Sequence, residues 1–78
     1  MVQKKTFSTI EELQKLQYFA TRCEDDVGLH SLDGTIMVDA KSYIGMYALN
    51  FAEPILVVSE SKEFFEMIRD IGTTETFP

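Results

Sequence analysis

The sequence predicts an α+β domain in which a four-stranded antiparallel sheet, with the element order β-α-β-β-α-β-α, carries three helices on one face. Helix-like and strand-like hydrophobic patterns alternate along the chain, and an Asp33-Gly34 pair separates two neighbouring strand segments. Each predicted helix also has a capping residue and an apolar stripe. All three stripes are buried only if the helices pack on the same face of the sheet.

Composition limits the class of protein. A chain of 78 residues with 45% hydrophobic residues forms one domain, spanning 1–78, that is just large enough to bury a core. Its single cysteine, Cys23, cannot form an internal disulfide. No stretch reaches the roughly 18 apolar residues of a membrane span, and the N-terminal MVQKKTF lacks the apolar run of a secretory signal. We therefore expect a soluble, cytoplasmic domain.

The charge of the chain argues against two kinds of partner. Seven basic residues against thirteen acidic ones give a formal charge of −6. This charge repels nucleic acids and anionic membranes, so neither is expected as a partner. Proteins with basic surfaces fit this charge better.

The first elements follow from local patterns. Val2 to Phe7 has the β-branched and aromatic content of an edge strand. Ser8 followed by Glu11 is a capping box, so a helix is expected to begin at Thr9. Its apolar stripe is spaced by threes and fours and comprises Ile10, Leu13, Leu16, Ala20 and Cys23.

Two strands and a tight turn are expected next. Val27 to Leu32 and Thr35 to Asp39 are the strand segments, with Asp33-Gly34 between them. Both turn residues tolerate the positive φ of a type I′ turn. The segment therefore predicts a β-hairpin.

The second half of the chain repeats the alternation. Ser42 is a good N-cap for a short helix, which Pro54 prevents from continuing into a strand at Ile55 to Val58. Ser59 or Ser61 caps a last helix. Its apolar stripe comprises Phe64, Phe65, Ile68 and Ile71, and Gly72 is its expected stop. Residues 72–78 are predicted to be a flexible tail.

The segment around Ser42 resembles a known family. Lys41, Ser42, Ile44, Gly45 and Leu49 fall where the KSIMGVMSLG segment of HPr, the small phosphocarrier of the bacterial sugar phosphotransferase system, has equivalent residues. The segment from Ala20 to Leu29, ATRCEDDVGL, is similar to the part of HPr that joins its first helix to its second strand. The resemblance implies an HPr-like open-faced β-sandwich, and the expected order of strands is taken from that family.

The phosphocarrier motif of HPr, GIHARPA, has no counterpart in this chain. Alignment with the family places Thr9 where HPr has its active histidine and Glu11 where it has the arginine. Glu11 and Glu12 would repel a phosphoryl group, whereas acidic residues in a first turn suit the positive end of the helix dipole. We expect a well-capped helix there, without a catalytic role.

The remaining reactive side chains do not form a recognisable site. His30 is predicted to be a surface histidine on a strand, with Asp33 as its nearest acidic neighbour in sequence. Cys23 is predicted to be a small core residue. One cysteine and one histidine do not make a metal site, so no metal or cofactor is expected, and the chain is not expected to be an enzyme.

Ser42 has two interpretations. A helix cap alone explains a serine at this position. The resemblance implies a second role, since in HPr from many Gram-positive bacteria the equivalent serine is phosphorylated by a dedicated kinase. A phosphate at a helix N-terminus would meet unpaired N–H groups, so the position could hold one without unfolding.

The helix expected after Ser42 is apolar almost all round. If Met46 and Leu49 face the sheet, Tyr43, Ile44 and Tyr47 point outward. This resembles the apolar patch that HPr uses to contact its partner proteins. Packing against the tail or against a second copy is the alternative.

The sequence thus favours a non-catalytic protein-binding or regulatory module related to the sugar phosphotransferase system. Its partner would bind through the second helix, and phosphorylation of Ser42 would act as a switch. Two other classes stay open. One is a phosphocarrier that uses an unexpected acceptor such as His30, and the other is a structural homodimer subunit without a signalling role.

Overall fold

The computed structural model describes residues 1–42, 45 and 48–75. Within them lie five strands and two helices, in the order β1 (Val2–Thr6), α1 (Ile10–Arg22), β2 (Val27–Ser31), β3 (Met37–Asp39), β4 (Ile55–Ser59), α2 (Lys62–Met67) and β5 (Thr73–Glu75). The strands form one open antiparallel sheet in the order β3-β2-β4-β1-β5. The predicted α+β class and antiparallel sheet are confirmed, but four strands and three helices are not matched.

One face of the sheet forms the floor of the core. The register aligns Lys5 with Ile55, and Leu29 with Val57, so these side chains share a face. The buried apolar residues of both helices belong to the same hydrophobic cluster as the apolar residues of this face. Both described helices therefore pack on one face.

The opposite face of the sheet carries a row of aligned side chains. Cross-strand register places Glu75, Lys4, Leu56, His30 and Met37 side by side, from β5 to β3. Met37 is 67% exposed, and the other four are partly exposed. This face is the open side of the sheet.

Helix α1 begins one residue later than predicted. Thr9 is the N-cap, and its hydroxyl accepts a hydrogen bond from the Glu12 N–H at 3.2 Å while Glu12 Oε1 accepts one from the Thr9 N–H at 3.1 Å. The motifs Ser8-Glu11 and Thr9-Glu12 are equally good in sequence, and the second forms the capping box.

The predicted stripe of α1 is confirmed in its middle and wrong at its ends. Leu13, Leu16 and Ala20 are buried, but Ile10 in the first turn is 57% exposed, and the helix ends at Arg22, before Cys23. An unpredicted polar residue, Gln17, is buried beside them.

The β2–β3 connection is a tight turn, but it is not of type I′. Gly34 has a φ of 76°, whereas no non-glycine residue of the described chain has a positive φ. The Asp33 carboxylate instead accepts a hydrogen bond from the Thr35 N–H within the turn, and the Gly34 N–H donates to Ser31 O at 3.0 Å. Asp33 therefore stabilises this turn through its side chain.

Helix α2 confirms the predicted cap at Ser61, whose hydroxyl accepts from the Phe64 N–H at 3.1 Å. The residues of its predicted apolar stripe are all buried, namely Phe64, Phe65, Ile68 and Ile71. The prediction that the helix continues to Gly72 is wrong, because α2 ends at Met67 and the last two of these residues lie beyond it. Gly72 follows with a φ of 68°.

The fifth strand, β5, lies in the segment predicted to be a flexible tail. Residues Thr73–Glu75 pair with β1, so β1 has a neighbour on each side and is not the edge strand expected from the sequence. Residues 76–78 lie outside the described part of the chain. The helix predicted after Ser42 falls mostly on residues 43, 44, 46 and 47, which also lie outside it.

In the part of the chain that the structure describes, no helix combines the length and the apolar character needed to cross a bilayer.

Candidate functional site

The backbone turns sharply after β3 and places Ser42 at the surface. The Ala40 N–H donates to Val27 O at 2.9 Å, which ends the sheet pairing, and the Ala40 side chain is buried. The Ser42 N–H then donates to Asp39 O at 3.0 Å, and the Lys41 N–H donates to Asp39 Oδ1 at 2.9 Å. This turn leaves the Ser42 side chain exposed.

The hydroxyl of Ser42 acts as a backbone acceptor. Ser42 Oγ accepts a hydrogen bond from the Gly45 N–H at 3.1 Å, the geometry expected of the predicted cap. A Cβ at position 45 would lie 3.2 Å from Ser42 Oγ and 3.6 Å from Val38 Cβ. A glycine therefore gives the backbone a close approach to this hydroxyl.

The neighbouring cation, Lys41, is bonded elsewhere. Lys41 Nζ donates to Cys23 O, at the C-terminus of α1, at 2.9 Å. A positive charge at this end of a helix is favourable, because the carbonyl groups there are partly negative. Lys41 thus connects the Ser42 turn to α1.

The expected binding patch follows Ser42 in the sequence. Tyr43, Ile44 and Tyr47 all lie outside the described residues.

At the start of α1, Glu12 occupies the position that an anion would need. Glu12 Oε1 accepts from the Ser8 N–H and the Ser8 hydroxyl, both at 2.8 Å, in addition to the Thr9 N–H. Glu12 Oε2 accepts from the Gly72 N–H at 2.7 Å. These bonds, led by the one from the Ser8 backbone, lower the pKa of Glu12. The carboxylate thus accepts the hydrogen bonds of the N–H groups that a phosphoryl group would otherwise need.

His30 lies on the open face of the sheet and is half-buried. It pairs with Leu56 on one side and Met37 on the other. A Cβ at Gly28 would lie 3.1 Å from His30 Nε2, so the imidazole sits over this glycine. The glycine leaves room for the ring against the sheet.

Asp33, the nearest acid to His30 in sequence, is committed to the hairpin turn. Asp33 Oδ1 accepts from the Ser31 hydroxyl at 2.7 Å, and from the N–H and hydroxyl of Thr35 at 3.0 and 2.8 Å. These bonds, led by the Thr35 N–H, lower its pKa to about 2. Asp33 serves the turn and is not paired with the imidazole.

Cys23 caps the C-terminus of α1 and is half-buried against the core. Its N–H donates to Ala20 O at 3.2 Å. The part of the chain that the structure describes holds no group of three side chains able to bind a metal ion.

Lys5 is the unusual residue that sequence reasoning missed. Its side chain is 0% exposed, and Lys5 Nζ donates to Ile68 O at 3.0 Å and to Thr74 Oγ1 at 2.8 Å. Burial lowers the pKa of this ammonium, while the negative charges of Asp70 and Glu12 act to raise it. Its position two residues before the buried Phe7 was the available signal, because alternate residues of a strand share a face.

Comparison of the chain with protein-family models, curated proteins and solved structures found no match.

Proposed function

We propose that this chain is a non-catalytic protein-binding module of the HPr type, related to the sugar phosphotransferase system, and that phosphorylation of Ser42 regulates its binding. One observation carries the proposal. The Ser42 hydroxyl is exposed and already faces the Gly45 N–H, beside the segment with Tyr43, Ile44 and Tyr47. A kinase can reach this hydroxyl, and an N–H group is in place to receive a phosphate oxygen.

The proposed switch acts through charge. A phosphate adds up to two negative charges at neutral pH, next to the proposed binding segment of a chain whose formal charge is −6. Its interaction with nearby N–H groups contributes on the order of 1 kcal/mol, which is too little to refold the domain. A partner therefore distinguishes the two forms by the charge of this surface.

Lys41 gives the switch a second consequence. In the unmodified chain its ammonium binds Cys23 O at 2.9 Å. A phosphate on the adjacent residue is a stronger acceptor, because a hydrogen bond between two charged groups exceeds one to a neutral carbonyl. Lys41 is drawn toward the phosphate, and Cys23 O loses the hydrogen bond from its ammonium, while Arg22 remains in the last turn of α1.

The direct test is treatment with the serine kinase of the HPr system, followed by intact mass. We expect a gain of one phosphate that Ser42→Ala abolishes. Ser61→Ala is the matched control, because Ser61 Oγ accepts from a backbone N–H at the same 3.1 Å and Ser61 caps α2. Loss of phosphorylation in both variants would point to a general effect of cap removal, and no gain under conditions that modify HPr would leave Ser42 as a cap only.

The binding surface is tested separately with Tyr47→Glu. We expect weaker association with a partner from the phosphotransferase system. We also expect little change in the thermal midpoint, because the sequence predicts that Tyr47 points outward, and such a side chain contributes little to the fold. A collapse of the midpoint would make Tyr47 a core residue and remove this surface.

Two further measurements address the other classes of function. Acid-labile phosphate on His30, after incubation with the phosphotransferase enzyme and phosphoenolpyruvate, would replace the proposal with a phosphocarrier. A dimer that persists at micromolar concentration in sedimentation, in both forms of Ser42, would replace it with a structural subunit.

A further inference from the structure

Strand β5 is held to the sheet without contributing to the core. Its three residues, Thr73–Glu75, are exposed or half-buried, and none belongs to the hydrophobic cluster. Among the described strands it pairs only with β1, through Lys4, Lys5 and Thr6. Elements with so little apolar burial open at a lower free-energy cost than the rest of a domain.

Polar side chains provide the specific contacts of β5. Lys5 Nζ donates to Thr74 Oγ1 at 2.8 Å, and the Thr6 hydroxyl donates to Glu75 Oε2 at 2.9 Å. On the open face, Glu75 lies opposite Lys4 in the register. The edge of β1 thus selects a strand with a hydroxyl group followed by a carboxylate.

Lys5 makes this selection strict. Its side chain is fully buried, and Thr74 supplies one of the two hydrogen-bond acceptors of its ammonium group. A strand that covered Lys5 without offering an acceptor would leave the buried ammonium with one hydrogen bond fewer. The loss of a hydrogen bond by a buried charged group costs more free energy than the same loss by a neutral group. An apolar strand is therefore rejected at this edge.

We propose that the outer edge of β1 is a docking site for an extended strand of a partner protein, with a hydroxyl or carboxylate opposite Lys5, and that β5 is the resident strand which this partner displaces. The backbone of β1 supplies the hydrogen bonds, as in other cases of strand addition to a sheet edge. Lys5 and Thr6 supply the preference for an acidic, hydroxyl-bearing segment. This site is separate from Ser42 and does not depend on its phosphorylation.

The test uses the full chain with Lys4→Cys, in which Cys23→Ser removes the native thiol. The probe is a synthetic peptide with the sequence of residues 72–78 and a Glu75→Cys change, incubated under reversible disulfide exchange. Because Lys4 and Glu75 are opposite in the register, a docked peptide brings the two thiols into disulfide range. A Val2→Cys chain is the matched control, since Val2 lies on the same face of β1 but beyond the residues that pair with β5.

We expect the peptide to be captured at position 4 in clear preference to position 2. A second peptide that also has Thr74→Val should be captured about tenfold less, because it lacks one hydrogen bond to a charged group. Equal capture at the two positions, equal capture of the two peptides, or no capture would each overturn the proposal. Thr6→Cys, tested with a Thr73→Cys peptide, repeats the experiment if Lys4→Cys fails to fold, since these residues are also paired.

Hydrogen exchange of the unmodified chain tests displacement without any thiol. We expect the amides of Thr73–Glu75 to exchange faster than those of Ile55–Ser59, which lie in the interior of the sheet. If β5 exchanged only at the rate of the most protected strand, it would not open separately and could not be displaced.

Discussion

Gly72 is the position at which one added methyl group should harm the fold most. Its φ is 68°, and a Cβ built there lies 2.6 Å from Thr6 O and 2.9 Å from Phe7 Cδ1. The carbonyl belongs to the end of β1, and the ring belongs to the core. Neither is the free end of a flexible side chain, so Gly72→Ala forces the backbone to move.

The cost can be built from two parts. An alanine in the left-handed region loses about 1–2 kcal/mol relative to glycine. Moving residue 72 away from Thr6 also strains the 2.7 Å bond from its N–H to Glu12 Oε2, and a hydrogen bond to a charged group is worth about 1.5–3 kcal/mol. We expect a total loss of about 3 kcal/mol, a large fraction of the roughly 4–12 kcal/mol typical of a domain this size.

Gly34→Ala is the control for backbone conformation alone. Gly34 has a similar φ of 76°, but a Cβ there meets nothing within 4 Å. Its replacement should cost only the conformational part, about 1–2 kcal/mol. Urea unfolding of both variants and of the parent chain gives the three free energies of unfolding.

If Gly72→Ala and Gly34→Ala lower the free energy of unfolding by the same amount, the contact of residue 72 with Thr6 is not a significant constraint. The approach of residue 72 to Thr6 and Phe7 would then be looser than the structure indicates.

Two further variants test the charged groups. Lys5→Met should lower the free energy of unfolding at neutral pH by less than about 1 kcal/mol, or raise it, because a buried charge is replaced by an apolar side chain of similar length. In the variant Ile68 O still accepts a hydrogen bond from the Ile71 N–H, which is 2.9 Å long in the parent. Burial lowers the pKa of Lys5 from 10.5, so the unfolded chain binds more protons below that pH, and parent stability should rise toward pH 10.5. Urea unfolding across this range should show a smaller rise for Lys5→Met, and an unchanged rise would mean that Lys5 is not its source. For Asp33, the turn bonds hold the pKa at about 2 instead of 3.8, so they stabilise the fold above pH 3.8 and are lost as the pH falls toward 2. Asp33→Asn should remove this contribution to the fall of the free energy of unfolding at acidic pH. If the free energy of unfolding fell with pH in the variant as it does in the parent, the assignment would be contradicted.

Local signals in the sequence predicted most of the secondary structure. The strand at Ile55, the cap at Ser61 and the middle of the buried α1 stripe all depend on residues close together in the chain, and all are present. The start of α1 was missed by one residue, because Ser8 and Thr9 are each followed by a glutamate at the correct spacing. Glu12, unlike Glu11, also accepts a hydrogen bond from the Gly72 N–H, and this contact with a residue distant in sequence could not be read from the local pattern.

Long-range pairing accounts for the larger errors. The segment Thr73–Glu75 is polar and short, so nothing within it indicates a strand, and its partner is the N-terminal strand. The burial of Lys5 has the same origin, since both of its acceptors come from the last part of the chain. At the candidate site, the cap at Ser42 followed from local sequence, whereas the bond of Lys41 to Cys23 O joins separate elements and did not.

The order of strands in the sheet has a kinetic consequence. β1 is the first strand in the sequence, but its two neighbours are β4 and β5, which come from the second half of the chain. During synthesis β1 therefore has no native strand to pair with until residues 55–59 have emerged, whereas β2 and β3 can pair as soon as their turn is complete. The closing of such a long loop has a modest entropic cost, of about 0.6 kcal/mol for each doubling of its length, but distant pairings slow folding. β1, which is made before the other strands of this sheet, is thus among the last of them to reach its place.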